Sequence, residues 1–146
     1  MSKYLAFTAG QRLSLISKNA FTSMIYGPGI DIVKIARMKE ISEKWGDKFL
    51  RRVFTDSEIF YCYQKKNPYG SLAVRFAAKE ALIKAIGSEI PVSFTEMEIT
   101  NSSKGKPALK ISGKLEKFFK NKSIIKIHLS LSHEDEYGIA CVVLEQ

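Results

Sequence analysis

Arg75-Phe76-Ala77-Ala78-Lys79-Glu80-Ala81-Leu82-Ile83-Lys84-Ala85-Ile86-Gly87 is the stretch that decides how this chain folds. From Leu72 to Ile86 eleven of fifteen residues are apolar, none is proline or glycine, and good helix formers predominate. The pattern predicts a helix of about four turns, stopped by Gly87. So apolar a helix belongs in the core, so its four charged residues, Arg75, Lys79, Glu80 and Lys84, require partners. At about 100° per residue Arg75 and Lys79 share one side, and Glu80 and Lys84 the next. An i,i+4 pair between Glu80 and Lys84 would contribute only a few tenths of a kcal/mol.

Just upstream, Phe54-Thr55-Asp56-Ser57-Glu58-Ile59 has the marks of a helix start. Thr55 is the N-cap, Glu58 follows three residues on, and Phe54 can staple to Ile59. Capping accounts for Thr55 and Glu58 without catalysis. Phe60, Tyr61, Cys62 and Tyr63 follow as an aromatic cluster expected in the core, and Asn67-Pro68-Tyr69-Gly70 is a turn. Ser71 then stands where it can cap the central helix. Further back, Met24-Ile25-Tyr26-Gly27-Pro28-Gly29-Ile30-Asp31-Ile32-Val33 reads as a short apolar strand, broken by glycines and carrying one aspartate. The helix predicted after it puts Ile35, Met38, Ile41, Trp45 and Phe49 on one stripe. Arg37, Lys44, Lys48 and Arg51 gather beside that stripe if the helix runs unbroken through Gly46, as either a solvated face or a docking surface.

Beyond Gly87 the period becomes two. Phe94 to Thr100 alternates, residues 102–107 turn, and Ala108 to Ile111 continues as a strand. Lys114 to Lys120 reads as a short amphipathic helix. Ile125, Ile127, Leu129 and Leu131 then alternate with polar residues, and Tyr137 to Leu144 returns across His133-Glu134-Asp135-Glu136 as a hairpin. The expected fold is one α+β domain, an antiparallel sheet packed on one face by helices that include a long central one.

The 146 residues suffice for a single core, and 45% hydrophobic with 26% charged residues argues against disorder. No apolar run approaches the ~20 residues that cross a bilayer. Cys62 and Cys141 lie far apart without metal-type spacing, so two reduced thiols in a cytoplasmic protein are expected. The net charge of +8 admits nucleic acid, an anionic membrane surface, or an acidic protein with phosphate-rich ligands. Residues 1–23 hold Lys3, Arg12 and Lys18 and no acid, which leaves +5 for the remainder. They read as an N-terminal extension: a leader, an upstream start or a targeting segment.

Taken together, the Gly-x-Gly-x-Asp of Gly27 to Asp31 and the Arg-Phe-Ala-Ala-Lys-Glu-Ala-x-x-Lys of Arg75 to Lys84 resemble the holo-acyl-carrier-protein synthases, the bacterial 4′-phosphopantetheinyl transferases. Phe54 to Glu58 lies between them, and Gly105-Lys106-Pro107 and Leu131-Ser132-His133 come after in matching order. The likeness covers Met24 to about Glu145, so residues 24–146 are expected to be one phosphopantetheinyl transferase domain. One departure is that family members often continue the helix with Gly-Thr-Gly, whereas Gly87-Ser88-Glu89-Ile90 keeps only the first glycine.

The resemblance implies transfer of the 4′-phosphopantetheine arm of coenzyme A to a serine of apo acyl carrier protein in fatty-acid and lipid biosynthesis, with release of adenosine 3′,5′-bisphosphate. It implies Mg²⁺ held by Asp31 and Glu80, with Glu80 or a metal-bound water oriented by it as proton acceptor. Lys84 would neutralise charge developing on the pyrophosphate, and with Glu80 forms the expected catalytic pair. Arg75, Lys106 and His133 would bind the 3′-phosphate and adenosine end of coenzyme A. Lys79 would bind phosphate or brace the subunit, and ranks below Lys84. Arg37 and Lys44 would dock the acidic carrier protein, and a homotrimer with sites between subunits is expected, with no nucleic-acid or membrane partner. The alternative is a non-catalytic basic module for nucleic acid or an acidic protein; it gives Asp31 and Glu80 no task.

Overall fold

The apolar stretch forms helix α3, Tyr69–Ala85, in a computed structural model that describes residues 23–146. Leu72, Ala77, Ala78, Ala81 and Leu82 along it are wholly buried. Each leucine taken fully out of water stabilises the fold by about 1.5–3 kcal/mol. The expectation for residues 1–23 falls, but for Ser23, outside the described residues.

Around α3 the chain runs in order through strand β1 (Ile25–Lys34), helix α1 (Ile35–Val53) and helix α2 (Asp56–Tyr63) before it. After it come a 3-10 turn (Phe94–Glu96), β2 (Met97–Asn101), β3 (Pro107–Ile111), helix α4 (Gly113–Asn121), β4 (Lys126–His133) and β5 (Tyr137–Glu145). The expected antiparallel sheet is divided in two: β1-β5-β4 forms one, and β2 pairs only with β3. Among the described residues no helix is long and apolar enough to cross a membrane.

The contact of α3 with β1 depends on two glycines. Gly27, Gly29, Asp31 and Val33 alternate onto the face of β1 that meets the helix. A Cβ on Gly27 would overlap the Ala85 carbonyl oxygen, and one on Gly29 that of Ala81. With no side chain there, strand and helix backbones touch, and Asp31 is carried to the helix surface. The outer face of the same sheet exposes Ile30, Ile32, Ile139 and Cys141, brought side by side by the pairs Ile30 with Cys141 and Ile32 with Ile139.

Four local expectations are corrected. The central helix begins at Tyr69, whose N–H is held by the Asn67 side chain at 3.1 Å; Ser71 lies inside the first turn and is no cap. Helix α1 is broken at Gly46, whose φ of 50° only glycine adopts readily, so Trp45 turns outward and the basic face does not run on unbroken to Lys48 and Arg51. Phe94 to Glu96 is a 3-10 turn, not strand, because Phe94 stacks on Phe76 at 5.5 Å while its carbonyl accepts from Lys79. Helix α2 turns Glu58 and Cys62 inward, one turn apart, and this leaves Phe60 and Tyr63 exposed instead of in the core. The capping box at Thr55 and Glu58 is present as expected.

Candidate active site

Two sides of α3 carry the candidate residues, and they open into separate cavities. On the β1 side Asp31, Glu80, Lys34, Arg37 and Phe76 line a cavity of about 440 Å³. The Lys84 ammonium donates to Asp31 Oδ1 at 2.8 Å and to the Ile30 carbonyl at 3.0 Å. Lys84 is therefore engaged by the strand; the i,i+4 pair with Glu80 is not among the ion pairs of the described residues. Burial raises the pKa of Glu80, the Asp31 charge raises it further, and Lys84 partly offsets both. The two carboxylates thus feel one another across the cavity that both line.

Mg²⁺ asks for oxygen ligands and typically takes one or two carboxylates beside phosphate oxygens and water. Two mutually repelling carboxylates in one open cavity fit that demand. Two carboxylates would leave the remaining positions around such an ion to phosphate oxygens and water.

On the other side of α3, five residues and about 140° around the helix from Glu80, Arg75 enters a cavity of about 500 Å³ that His133, Lys65, Tyr61, Asn101 and Gly105 also line. Arg75 is only 3% exposed. Its Nη1 donates to Ser71 Oγ at 2.9 Å, its Nη2 to Asn101 Oδ1 at 2.6 Å, and its guanidinium carbon lies 4.2 Å from the centre of the Tyr61 ring. A cation so held is pre-oriented. His133, the last residue of β4, stands over Gly70, close enough that a Cβ added there would be in ordinary contact with the imidazole, 3.5 Å from Nδ1. Lys106 is exposed on the β2–β3 turn; its neighbours Gly105 and Pro107 line this cavity and its own side chain does not.

The structure thus brings Asp31, Glu80 and Lys84 together, and separately Arg75 with His133. The two cavities share no lining residue. Arg37, expected only on a docking face, lines the carboxylate cavity itself. Lys44 lies in neither cavity and rests its ammonium 5.4 Å from the Trp45 ring centre. Lys79 has no exposed surface and pairs with Glu58, so in this fold it cannot reach a phosphate. Sequence reasoning missed Tyr61, Lys65 and Asn101 around Arg75, for which no local pattern gives a signal. Loop residue Glu89 accepts from the Tyr26 hydroxyl at 2.7 Å and pairs with Lys122 at 2.6 Å, so the segment that departs from Gly-Thr-Gly is anchored to β1 and α4.

Residues 27–142 match the family model described as the 4′-phosphopantetheinyl transferase superfamily. The chain is 45% identical over 124 residues to a holo-[acyl-carrier-protein] synthase of Halothermothrix orenii, covering 84% of this chain and 99% of that one. Its structure is similar to that of holo-[acyl-carrier-protein] synthase from Neisseria meningitidis, with a TM-score of 0.78, 38% identity, and coverage of 84% of this chain and all of the other. It is also similar to the Helicobacter pylori holo-[acyl-carrier-protein] synthase in complex with coenzyme A, at TM-score 0.71 and 35% identity, over 80% of this chain and 98% of that one.

Proposed function

The chain belongs to the 4′-phosphopantetheinyl transferase superfamily, and from that premise we propose that it transfers the 4′-phosphopantetheine arm of coenzyme A to a serine of an apo acyl carrier protein, releasing adenosine 3′,5′-bisphosphate. The observation that carries the assignment to particular residues is the meeting of Asp31, Glu80 and Lys84 at the Gly29 contact. Membership in a transferase family displaces the alternative of a non-catalytic basic module.

Asp31 and Glu80 would hold Mg²⁺, which when bound neutralises pyrophosphate charge and makes the phosphorus more electrophilic. Lys84 is on a flexible stem and half exposed, so its ammonium can leave Asp31 for a phosphate oxygen and balance the charge that grows on the leaving bisphosphate. Glu80 would accept the proton drawn from the carrier serine, directly or through a water that it orients. Phe76 and Ile41 wall the cavity with apolar surface and limit water around these groups. Arg75 and His133, with Lys106 at the rim, would bind the phosphate and adenosine end of coenzyme A.

Arg37 at the cavity and Lys44 two turns on would meet the acids of the carrier protein. A homotrimer is supported by the apolar outer sheet face, where Ile30 and Ile32 are 62% and 58% exposed. It is supported also by the division of the candidates between two cavities on opposed sides of α3: in an assembly the Arg75 and His133 cavity of one copy can complete the Asp31 and Glu80 cavity of another. A single transferase domain over residues 24–146, a cytoplasmic setting and a role in fatty-acid biosynthesis complete the reading.

The test is incubation with coenzyme A, Mg²⁺ and an apo acyl carrier protein, followed by mass spectrometry of the carrier. A mass gain equal to one phosphopantetheine, dependent on Mg²⁺ and on Glu80, is expected; an unmodified carrier overturns the reading.

A further inference from the structure

Directly beside Glu80, Lys79 is buried to zero exposure among apolar side chains. Its ammonium uses all three of its N–H groups: it donates to Glu58 Oε2 at 2.6 Å, to the Val53 carbonyl at 2.7 Å and to the Phe94 carbonyl at 3.0 Å. Glu58, equally buried, accepts from the Thr55 N–H at 2.9 Å through Oε2 and from the Ile99 N–H at 3.0 Å through Oε1. One ion pair thus joins α3 to the end of α1, the start of α2, the 3-10 turn and β2.

A buried ion pair is a poor means of gaining stability. Desolvation of two charges roughly cancels their attraction, and an apolar pair of like volume would hold the helix about as firmly. What it supplies is direction, because three hydrogen bonds to three different segments fix both the rotation of α3 and its position along its axis. That matters where a neighbouring group must be placed within about 0.5 Å and 10–20°. Glu80 is the next residue, about 100° around the helix from Lys79, and faces β1, where Gly29 allows only backbone contact.

We propose that Lys79, with Glu58, is a positioning residue of this transferase: a clamp that sets the rotation of α3 so that the Glu80 carboxylate meets Asp31 at the spacing a divalent cation requires. The clamp touches neither coenzyme A nor the cation. The proposal rests on the function given above.

The experiment compares wild type with Glu58→Gln/Lys79→Met, which removes both charges at nearly constant volume and keeps an acceptor for one of the Thr55 and Ile99 N–H groups. Thermal melting establishes the fold, Mn²⁺ titration reads the carboxylate pair without turnover, and steady-state kinetics separate kcat from the two KM values. The expected result is a cooperative melt, Mn²⁺ affinity and kcat each lowered by about tenfold, and an unchanged KM for the carrier protein. A folded double variant with wild-type Mn²⁺ affinity and kcat overturns the proposal. Should the double variant not fold, Glu58→Gln alone decides: it leaves Lys79 its two carbonyl anchors, and a loss of Mn²⁺ affinity is expected, whereas unchanged affinity overturns the clamp. Wild-type protein inert towards coenzyme A would sink the function reading and the clamp with it; an active wild type with unaffected variants sinks the clamp alone.

Discussion

The Lys84 ammonium lies 2.8 Å from the Asp31 carboxylate across 53 residues of sequence, and this pair joins the central helix to the first strand at the mouth of the carboxylate cavity. The Lys84 side chain is 53% exposed, so the bond is screened and contributes little to stability, on the order of 1 kcal/mol or less. Lys84→Met is therefore expected to melt close to wild type while kcat falls by about 100-fold, the usual scale for losing one group that stabilises transition-state charge. Thermal melting with single-turnover kinetics checks both halves; an unaltered kcat would remove Lys84 from the chemistry.

Gly29→Ala sets a methyl group against the Ala81 carbonyl. Neither backbone can yield without moving β1 off α3, so a stability loss of about 1–3 kcal/mol is expected, together with weaker Mn²⁺ binding as Asp31 recedes. Gly46→Ala is strained by its φ of 50° but stands in open space, and is expected to leave Mn²⁺ binding untouched. Denaturant melts and metal titrations on the two variants separate strain near the site from strain away from it.

The pKa of Glu80 is raised in the folded chain, chiefly by burial. Between the ordinary carboxylate value and the raised one, the folded state binds more protons than the unfolded state. Metal-free protein should accordingly hold this contribution fully below the ordinary value and lose it as pH rises through the raised one. Metal binding runs the other way: it needs the ionised carboxylate, so affinity weakens as pH falls through the same window and binding releases a proton. Calorimetric titration in buffers of different ionisation enthalpy measures that proton. Its persistence in Glu80→Gln would assign it elsewhere.

Copies carrying Glu80→Gln and copies carrying His133→Ala are each expected to be inactive or nearly so. If sites form between subunits, unfolding the two together and refolding them creates some sites with both wild-type halves, and activity returns to a fraction of wild type. Activity no greater than the sum of the separate proteins would place each site within one chain.

Arg37→Glu alters charge at the edge of the carboxylate cavity. The carrier protein's KM is expected to rise about tenfold or more, with slower association at low salt, while that of coenzyme A moves little. Equal changes in both constants would make Arg37 a ligand of the cavity and not of the carrier.

Much of the molecule was legible from local pattern. Eleven apolar residues in the fifteen from Leu72 to Ile86 announced a buried helix, and Thr55 with Glu58 announced the start of α2, because helix period and capping are properties of a few adjacent residues. Phe60 and Tyr63 as core and Phe94 as strand are each plausible locally and were overruled by packing from distant segments, whereas Ser71 is no cap because the helix starts two residues earlier, held by Asn67. For Lys79 the sequence offered a cation on a helix face, and nothing nearby in the chain discloses that Val53, Glu58 and Phe94 close over it.

By itself the sequence determined most of the elements and the residue types able to carry phosphoryl chemistry, since these depend on composition and short-range order, and the family through the resemblance of its ordered motifs. Which of those residues meet was decided only by the tertiary structure. Asp31 faces Glu80 because two glycines let a strand lie against a helix without side chains between them, and Arg75 is parted from both because the same helix turns it the other way. Contacts of that kind follow from close packing and desolvation across the whole chain, which no local window contains.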